Sequence, residues 1–348
     1  MKRYRFAIVG LGAAAREIHL PAYRGLAQVE LVGAADPVAR ERFPFPVFET
    51  AAELLAQTRP DVVAVLTPPA SHFEIARMAL EAGCHVLCEK PVTPTLEEAD
   101  ALAALARKAE RRLVVNQEYR FMRIHQAAKA ALGGPAFGDL VFLSAEQTFF
   151  TTASSEAGWR GRDPERTAKE FGIHILDLCR FFFEDEPVAV SARMPRPGQD
   201  TGPDRLDLIR LDFPGDRVAQ ITLDRLTRGR HRYLALRLDG TRACIETEIG
   251  GAASVRAGLR ARTRRPFLEV DFALGGQARM YTGERFHKLA AEPRNVFARA
   301  TQRLCSAFLD ALDRGTVPPC SIEDNRKSLA LVRAAYESAA RGAIARAP

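Results

Sequence analysis

The run FAIVGLGAAA, Phe6 to Ala15, decides how the first third of the chain reads. A short apolar segment, Phe6 to Val9, breaks into Gly10-Leu11-Gly12 and then into small residues ending at Ala15. This order describes a strand, a tight turn and the start of a helix, the G-x-G-x-x-A form of the dinucleotide fingerprint. Gly10 allows the turn, Gly12 lets backbone approach a pyrophosphate, and Ala15 permits close helix–strand contact. Backbone N–H groups at the helix start, at Ala13 and Ala14, then face the phosphates. Taken alone the spacing is equally good turn chemistry. A second apolar run, Leu31 to Ala35, ends in Asp36, where a carboxylate can accept hydrogen bonds from ribose hydroxyls. Strand, turn, helix and acid together read as a nucleotide site. A carboxylate at Asp36 repels a 2′-phosphate, which favours NAD, while Arg40 and Arg42 leave NADP open.

The alternation of strand and helix continues outward. Thr50-x-x-Glu53 is a capping box opening a short helix. Asp61 to Leu66 is an apolar strand of the buried parallel type, ending in Thr67-Pro68-Pro69. Ser71 to Ala82 reads as a helix closed by Gly83. The stretch CHVLCEKP, Cys84 to Pro91, is a strand that stops abruptly in Glu89-Lys90-Pro91. Thr95-x-x-Glu98 is a second capping box, its helix runs to about Ala109, and Leu113 to Val115 is the next strand. Parallel strands flanked by helices place their ligand site at the strands' carboxyl ends. Gly10, Asp36, Thr67, Glu89-Lys90-Pro91 and Asn116-Gln117 all fall at such ends, so they are expected in one crevice. A lysine at the mouth of a buried strand either pairs with a charge or does chemistry. The proline after it is a candidate for a cis bond.

The second half reads as strands closed by helices. Val141 to Ala145, Val188 to Ala192, Leu206 to Phe213 and Val218 to Leu223 are strand candidates. Leu234 to Leu238 alternates, and Asp239-Gly240 is a hairpin signal into Ala243 to Glu246. Asn295 to Asp313 and Ile322 to Ala340 are closing helices. The helix from about Glu165 to Phe183 carries Glu170, His174 and Asp177, whose spacings of four and three place them on one side. The domain boundary falls at residue 120, giving 1–120 as a dinucleotide-binding domain and 121–348 as a substrate-binding and oligomerisation domain, with the closing helices free to pack back on the first.

Whole-chain numbers agree with an ordinary globular protein of 348 residues, 47% hydrophobic and 27% charged. No apolar run approaches the roughly 18 residues of a membrane span, and the N-terminus turns straight into a strand, so a cytoplasmic location without membrane contact is expected. Six cysteines show no zinc-like spacing, so neither metal nor disulfide is expected. The net charge of +7 comes from dispersed arginines. The one basic cluster, RAGLRARTRR ending at Arg265, reads as a solvated hairpin or loop rather than a nucleic-acid surface.

The segments GLGAAAREIHLPAY, TPPASHFEIARMALEAGCHVLCEKP, EYRF, GWR and EFGIHILDL, with the closing helix SLALVRAAYESAARG, resemble the Gfo/Idh/MocA family of oxidoreductases almost end to end. The resemblance implies an α/β fold: an N-terminal Rossmann domain with a parallel sheet, and a C-terminal α/β domain with a large, mostly antiparallel open sheet whose outer face often forms a homodimer or homotetramer contact. It implies hydride transfer between NAD or NADP and a carbon of a sugar, sugar derivative or cyclitol. The motifs match His174 to the family's catalytic histidine and Lys90 to the lysine of its E-K-P element, and both are expected to be catalytic, with Glu170. Glu170 stands where aspartate is usual, and Glu165-Arg166-Thr167-Ala168-Lys169 replaces the usual glycine-rich run. Substrate contacts are expected at Lys90, Tyr119, Glu170 and His174. Cofactor contacts are expected at Gly10, Gly12, Ala13, Ala14, Asp36, Thr67, Pro68, His72, Glu89, Lys90, Gln117 and Arg160. The bland alternatives are a helix cap for His72, an ion pair for Glu170, and packing with a salt bridge for Trp159 and Arg160. Two other activities fit the same residues less well: a glycoside hydrolase using transient oxidation, and a non-catalytic NAD(P)-binding regulator.

Overall fold

The computed structural model describes all residues except 1, 40, 153–155, 157, 199–201, 229–232, 251–253, 260–265, 272–274 and 348. Met1–Phe121 and Phe297–Val332 form one compact unit, and Met122–Val296 with Arg333–Pro348 a second.

The first unit is built on six parallel strands: β1 (Tyr4–Val9), β2 (Val29–Ala35), β3 (Val47–Phe48), β4 (Val62–Val65), β5 (His85–Cys88) and β6 (Leu113–Val115). Their order, β3-β2-β1-β4-β5-β6, is that of a doubly wound dinucleotide-binding sheet. The helices α1 (Leu20–Arg24), α2 (Ala51–Thr58), α3 (His72–Glu81) and α4 (Leu96–Lys108) connect the strands. At Thr50 both halves of the capping box form, and at Thr95 the hydroxyl accepts the Glu98 N–H. Gly83 closes α3 with φ of 79°, a conformation glycine adopts without the Cβ penalty.

The helix after the glycine loop departs from expectation. Ala15–His19 is a π turn in which the Leu20 N–H reaches back five residues to the Ala15 carbonyl. Pro21 explains it. Proline has no N–H, and its ring crowds the carbonyl four residues earlier, so a wider turn relieves the helix just before it.

The second unit holds a nine-stranded sheet of β7 (Leu140–Thr148), β8 (Ala189–Arg193), β9 (Leu206–Phe213), β10 (Arg217–Asp224), β11 (Leu234–Gly240), β12 (Cys244–Ile249), β15 (Gly276–Thr282), β16 (Arg285–Glu292) and β17 (Ala345–Arg346). All its pairs are antiparallel except β7 with β10. A separate hairpin pairs β13 (Ser254–Leu259) with β14 (Pro266–Asp271). It carries the basic cluster, of which Arg260 to Arg265 lie outside the described residues. Helix α5 (Arg123–Ala131) and helix α6 (Ile173–Phe183) belong to this unit.

One expectation shifts. The hairpin between β11 and β12 turns at Thr241-Arg242, with the Gly240 N–H donating to the Ala243 carbonyl at 2.8 Å, not at Asp239-Gly240. Gly240 answers a different need: a Cβ there would stand 2.6 Å from the Phe137 carbonyl oxygen, at the point where the β11–β7 register shifts. A glycine within a strand often marks such a close approach. The closing helices, which the sequence leaves free to pack back on the first domain, are α7 (Val296–Arg314) and α8 (Ile322–Arg341). Leu304, Cys305, Phe308 and Leu309 of α7 pack in the same core as Phe6, Ile8, Leu87 and Val114. That helix therefore completes the first unit.

Candidate active site

In the first unit the expected residues meet at the carboxyl ends of the strands. Gly10 has φ of 96°, and a Cβ on it would lie 2.9 Å from the Leu66 carbonyl, so the turn itself demands glycine. Gly12 is different: a Cβ there meets nothing within 4 Å. The protein leaves that space open, as a loop that admits a pyrophosphate must. Ala15 is fully buried, while Ala13 and Gly12 are exposed. One oxygen of Asp36 accepts the Leu11 N–H at 2.7 Å, and the other accepts those of Val38 and Ala39 at 2.9 and 3.0 Å. The carboxylate is thereby pinned between glycine loop and strand end. Arg42 is exposed, and Arg40 lies outside the described residues.

Lys90 follows β5 in a turn whose Lys90–Pro91 bond is cis. Both oxygens of Glu89 are engaged. Oε1 accepts from His19 Nε2 at 2.6 Å and from Asn116 Nδ2 at 2.8 Å, and Oε2 accepts the Lys90 backbone N–H at 3.2 Å. Burial by itself raises the Glu89 carboxyl, but the His19 bond and charge, the Lys90 charge and the Asn116 bond bring it down to about 2. His72 is fully buried and does not cap its helix; its ring lies between the Thr67 and Pro91 carbonyls. Thr67 also accepts the Ser71 hydroxyl at 2.8 Å, and Pro68 is exposed beside it. Gln117 and Glu118 are buried at the end of β6, and Tyr119 packs on Phe297 with ring centroids 5.8 Å apart.

In the second unit, His174 lies in α6, an almost wholly buried helix. A π turn, Thr167–Gly172, precedes it and holds Glu170. Glu170 is held by two guanidiniums: Arg160 Nε donates to Oε1 at 2.8 Å and Arg166 Nε to Oε2 at 2.6 Å. Gly172 sits close under β10: a Cβ would stand 2.6 Å from the Leu223 methyl, which would have to shift. Asp177 pairs with Arg180 at 3.5 Å, a contact that fixes the helix.

The sequence reading missed what anchors this turn. Asp204 Oδ1 accepts the Arg166 and Thr167 N–H groups at 2.8 and 2.7 Å, and Oδ2 accepts the Tyr336 hydroxyl at 2.7 Å. Asp207 is buried beside it; burial first, and then the Asp204 charge, push its carboxyl well above the usual range. The folded state therefore keeps a proton that the unfolded chain releases above an ordinary carboxylate pKa of about 4. Stability falls as pH rises from there. Asp207→Asn keeps the shape and a donor without that proton. Its melting temperature should exceed that of the native protein at pH 7 and should fall less between pH 4 and pH 7 in calorimetry. A variant with the native protein's pH slope would show that Asp207 does not hold the proton.

All six cysteines are free, five of them buried. Among the described residues, no group of three or more His, Cys, Asp or Glu side chains is arranged to hold a metal ion. No helix among them is long and apolar enough to cross a membrane.

A doubly wound sheet with a turn-specific Gly10, an open Gly12 and a pinned Asp36 defines a nucleotide-binding body. Known proteins agree. Residues 4–117 match the oxidoreductase family with an NAD-binding Rossmann fold, and residues 125–246 match the GFO/IDH/MocA C-terminal domain. The chain belongs to the Gfo/Idh/MocA family and is an NAD(P)-dependent oxidoreductase. It is 26% identical over 360 residues to D-apiose dehydrogenase of Paraburkholderia graminis, covering 98% of this chain and 89% of that protein. It is 33% identical over 202 residues to UDP-N-acetylglucosamine 3-dehydrogenase of Acidithiobacillus ferrooxidans, covering 55% and 58%. An oxidoreductase from Agrobacterium radiobacter, solved with NAD+, L-tartaric acid and magnesium, shares the fold with a TM-score of 0.83 at 21% identity, covering 99% and 98%.

Proposed function

We propose that this oxidoreductase interconverts a secondary alcohol and a ketone on a sugar, sugar derivative or cyclitol, with NAD(H) as the preferred cofactor. The observation that carries the reading is Lys90 in the turn that the dinucleotide end of the sheet holds in place through Glu89 and Pro91. The relatives named as sugar dehydrogenases support the substrate class. Gly10, Gly12, Ala13, Ala14, Asp36, Thr67, Pro68 and Gln117 would hold the cofactor, while fully buried His72 and Glu89, both of whose oxygens are engaged, support the turn at Lys90 rather than touch the cofactor. On the second unit Arg160, part exposed, is the further candidate. When bound, the nicotinamide supplies the hydride acceptor or donor.

The chain's own residues divide the remaining work. The Lys90 ammonium donates a hydrogen bond to the reacting oxygen and stabilises it as alkoxide character develops. His174 takes the hydroxyl proton in oxidation and returns it in reduction, a transfer to which imidazole is suited. Glu170, held by Arg160 and Arg166, orients His174 or accepts a neighbouring substrate hydroxyl. Tyr119, buried against Phe297, is a further candidate for substrate contact. Absorbance of reduced nicotinamide, followed across sugars, sugar nucleotides and cyclitols with both cofactors, tests the reading. Absence of cofactor turnover with every polyol class would overturn it.

Asp36 also sets a cofactor preference. Its carboxylate repels a 2′-phosphate, so isothermal titration should give NAD(H) an affinity at least about tenfold above NADP(H), near 1.4 kcal/mol. The reverse order would move the ribose contact elsewhere.

A further inference from the structure

The Glu89-Lys90-Pro91 turn is gripped from two sides by fully buried histidines, neither of which the proposed chemistry uses. On one side, His19 in the π turn after the glycine loop reaches Glu89 Oε1 with Nε2 at 2.6 Å, while its Nδ1 stands 2.9 Å from the Tyr23 hydroxyl. Glu89 passes that hold directly to the lysine through the Lys90 N–H. On the other side, His72 at the start of α3 places Nδ1 2.9 Å from the Pro91 carbonyl and Nε2 2.7 Å from the Thr67 carbonyl. Two carbonyls only accept hydrogen bonds, and a neutral imidazole has one N–H to donate. Both contacts are satisfied together only by a ring carrying both protons. Burial opposes that charge most strongly and, despite the two carbonyls and Glu89, holds the ring below the ordinary imidazole range, so the neutral ring donates to one carbonyl and lies against the other. A merely space-filling histidine would not need two carbonyls from separate loops.

The consequence is geometric. A lysine ammonium rides on a flexible four-carbon stem, so its reach is set by where the backbone roots it. His19 ties that root to the helix leaving Gly12, and His72 ties it to Thr67, whose methyl would lie 3.0 Å from a Cβ on Gly10. The same two loops make the dinucleotide end of the sheet. We propose that His19 and His72 are positioning residues for Lys90, acting through Glu89 and the Pro91 carbonyl to keep the ammonium in register with the bound cofactor. The proposal rests on the reading of Lys90 as the group that touches the reacting oxygen.

The test compares His72→Ala, His72→Gln, His19→Ala and His19→Gln with Lys90→Ala in the full chain, measuring kcat, KM and cofactor affinity by titration. Misplacing a reacting group by about an ångström costs on the order of 10²-fold. Each alanine variant should therefore lose roughly 10- to 100-fold in kcat while cofactor affinity stays within about threefold. Glutamine, which keeps one N–H donor, should recover most of that loss. If the alanine variants do not fold, the glutamine variants carry the test, with a small kcat loss and unaltered cofactor affinity expected. A kcat within threefold of the native enzyme in the alanine variants, a cofactor affinity that falls in step with kcat, or a glutamine variant no better than alanine would each overturn the proposal. Normal turnover by Lys90→Ala would overturn the reading beneath it instead, whatever the histidine variants do.

Discussion

Lys90→Ala should lower kcat by about 10³-fold and leave cofactor affinity within a few-fold. Removing one preorganised donor to a developing oxyanion costs about 10²–10³-fold, and about 4 kcal/mol of barrier corresponds to the upper end. The upper end is expected because the turn is heavily invested in: Glu89 spends both oxygens on His19, Asn116 and the Lys90 N–H. A purely structural lysine would show the opposite signature. Its removal would disturb Glu89, held at about 2 partly by the Lys90 charge, and would lower stability more than turnover. Pre-steady-state hydride transfer, followed by nicotinamide absorbance, separates the two. A single-turnover rate equal to that of the native enzyme would return Lys90 to a structural pair with Glu89.

His174→Ala should lower kcat/KM for alcohol oxidation by at least about 10²-fold, the lower end for a lost general base. The pH–rate limb belonging to the imidazole should vanish with it. Glu170→Gln should cost less, roughly tenfold or about 1.4 kcal/mol, because shape and hydrogen bonding survive. It nonetheless leaves Arg166, 4% exposed, opposite a neutral amide, and a buried charge deprived of its partner destabilises. Melting temperature must therefore be measured beside rate: a Glu170→Gln enzyme that is less stable but equally fast would mark the carboxylate as an ion-pair partner only. A folded His174→Ala enzyme with a near-normal rate and an unchanged pH profile would move the base to Lys90, Tyr119 or Glu118.

Much of this molecule is written in local pattern. An apolar run ending in Gly10-Leu11-Gly12, an acid ending the next run, capping residues at Thr50 and Thr95 and a glycine after α3 each report on one element and its immediate ends. The parallel sheet follows from them, because strands joined by helices have few other ways to bury their apolar faces. The positions of Lys90 at a strand end and of His174 on a helix were legible too, since each lies in a motif with that local setting. The remainder depends on partners distant in sequence. His19 and Glu89 are 70 residues apart, Arg166 and Asp204 are 38 apart, and no periodicity encodes such a pairing. Asp239-Gly240 has the composition of a turn, yet the approach of Phe137 makes Gly240 a strand glycine and moves the turn to Thr241-Arg242. Helix α7 carries an apolar face that fits any core; it is packing against Phe6, Ile8 and Leu87 that assigns it to the first unit. Side-chain period shows that a residue is buried, and the packed chain alone shows against what.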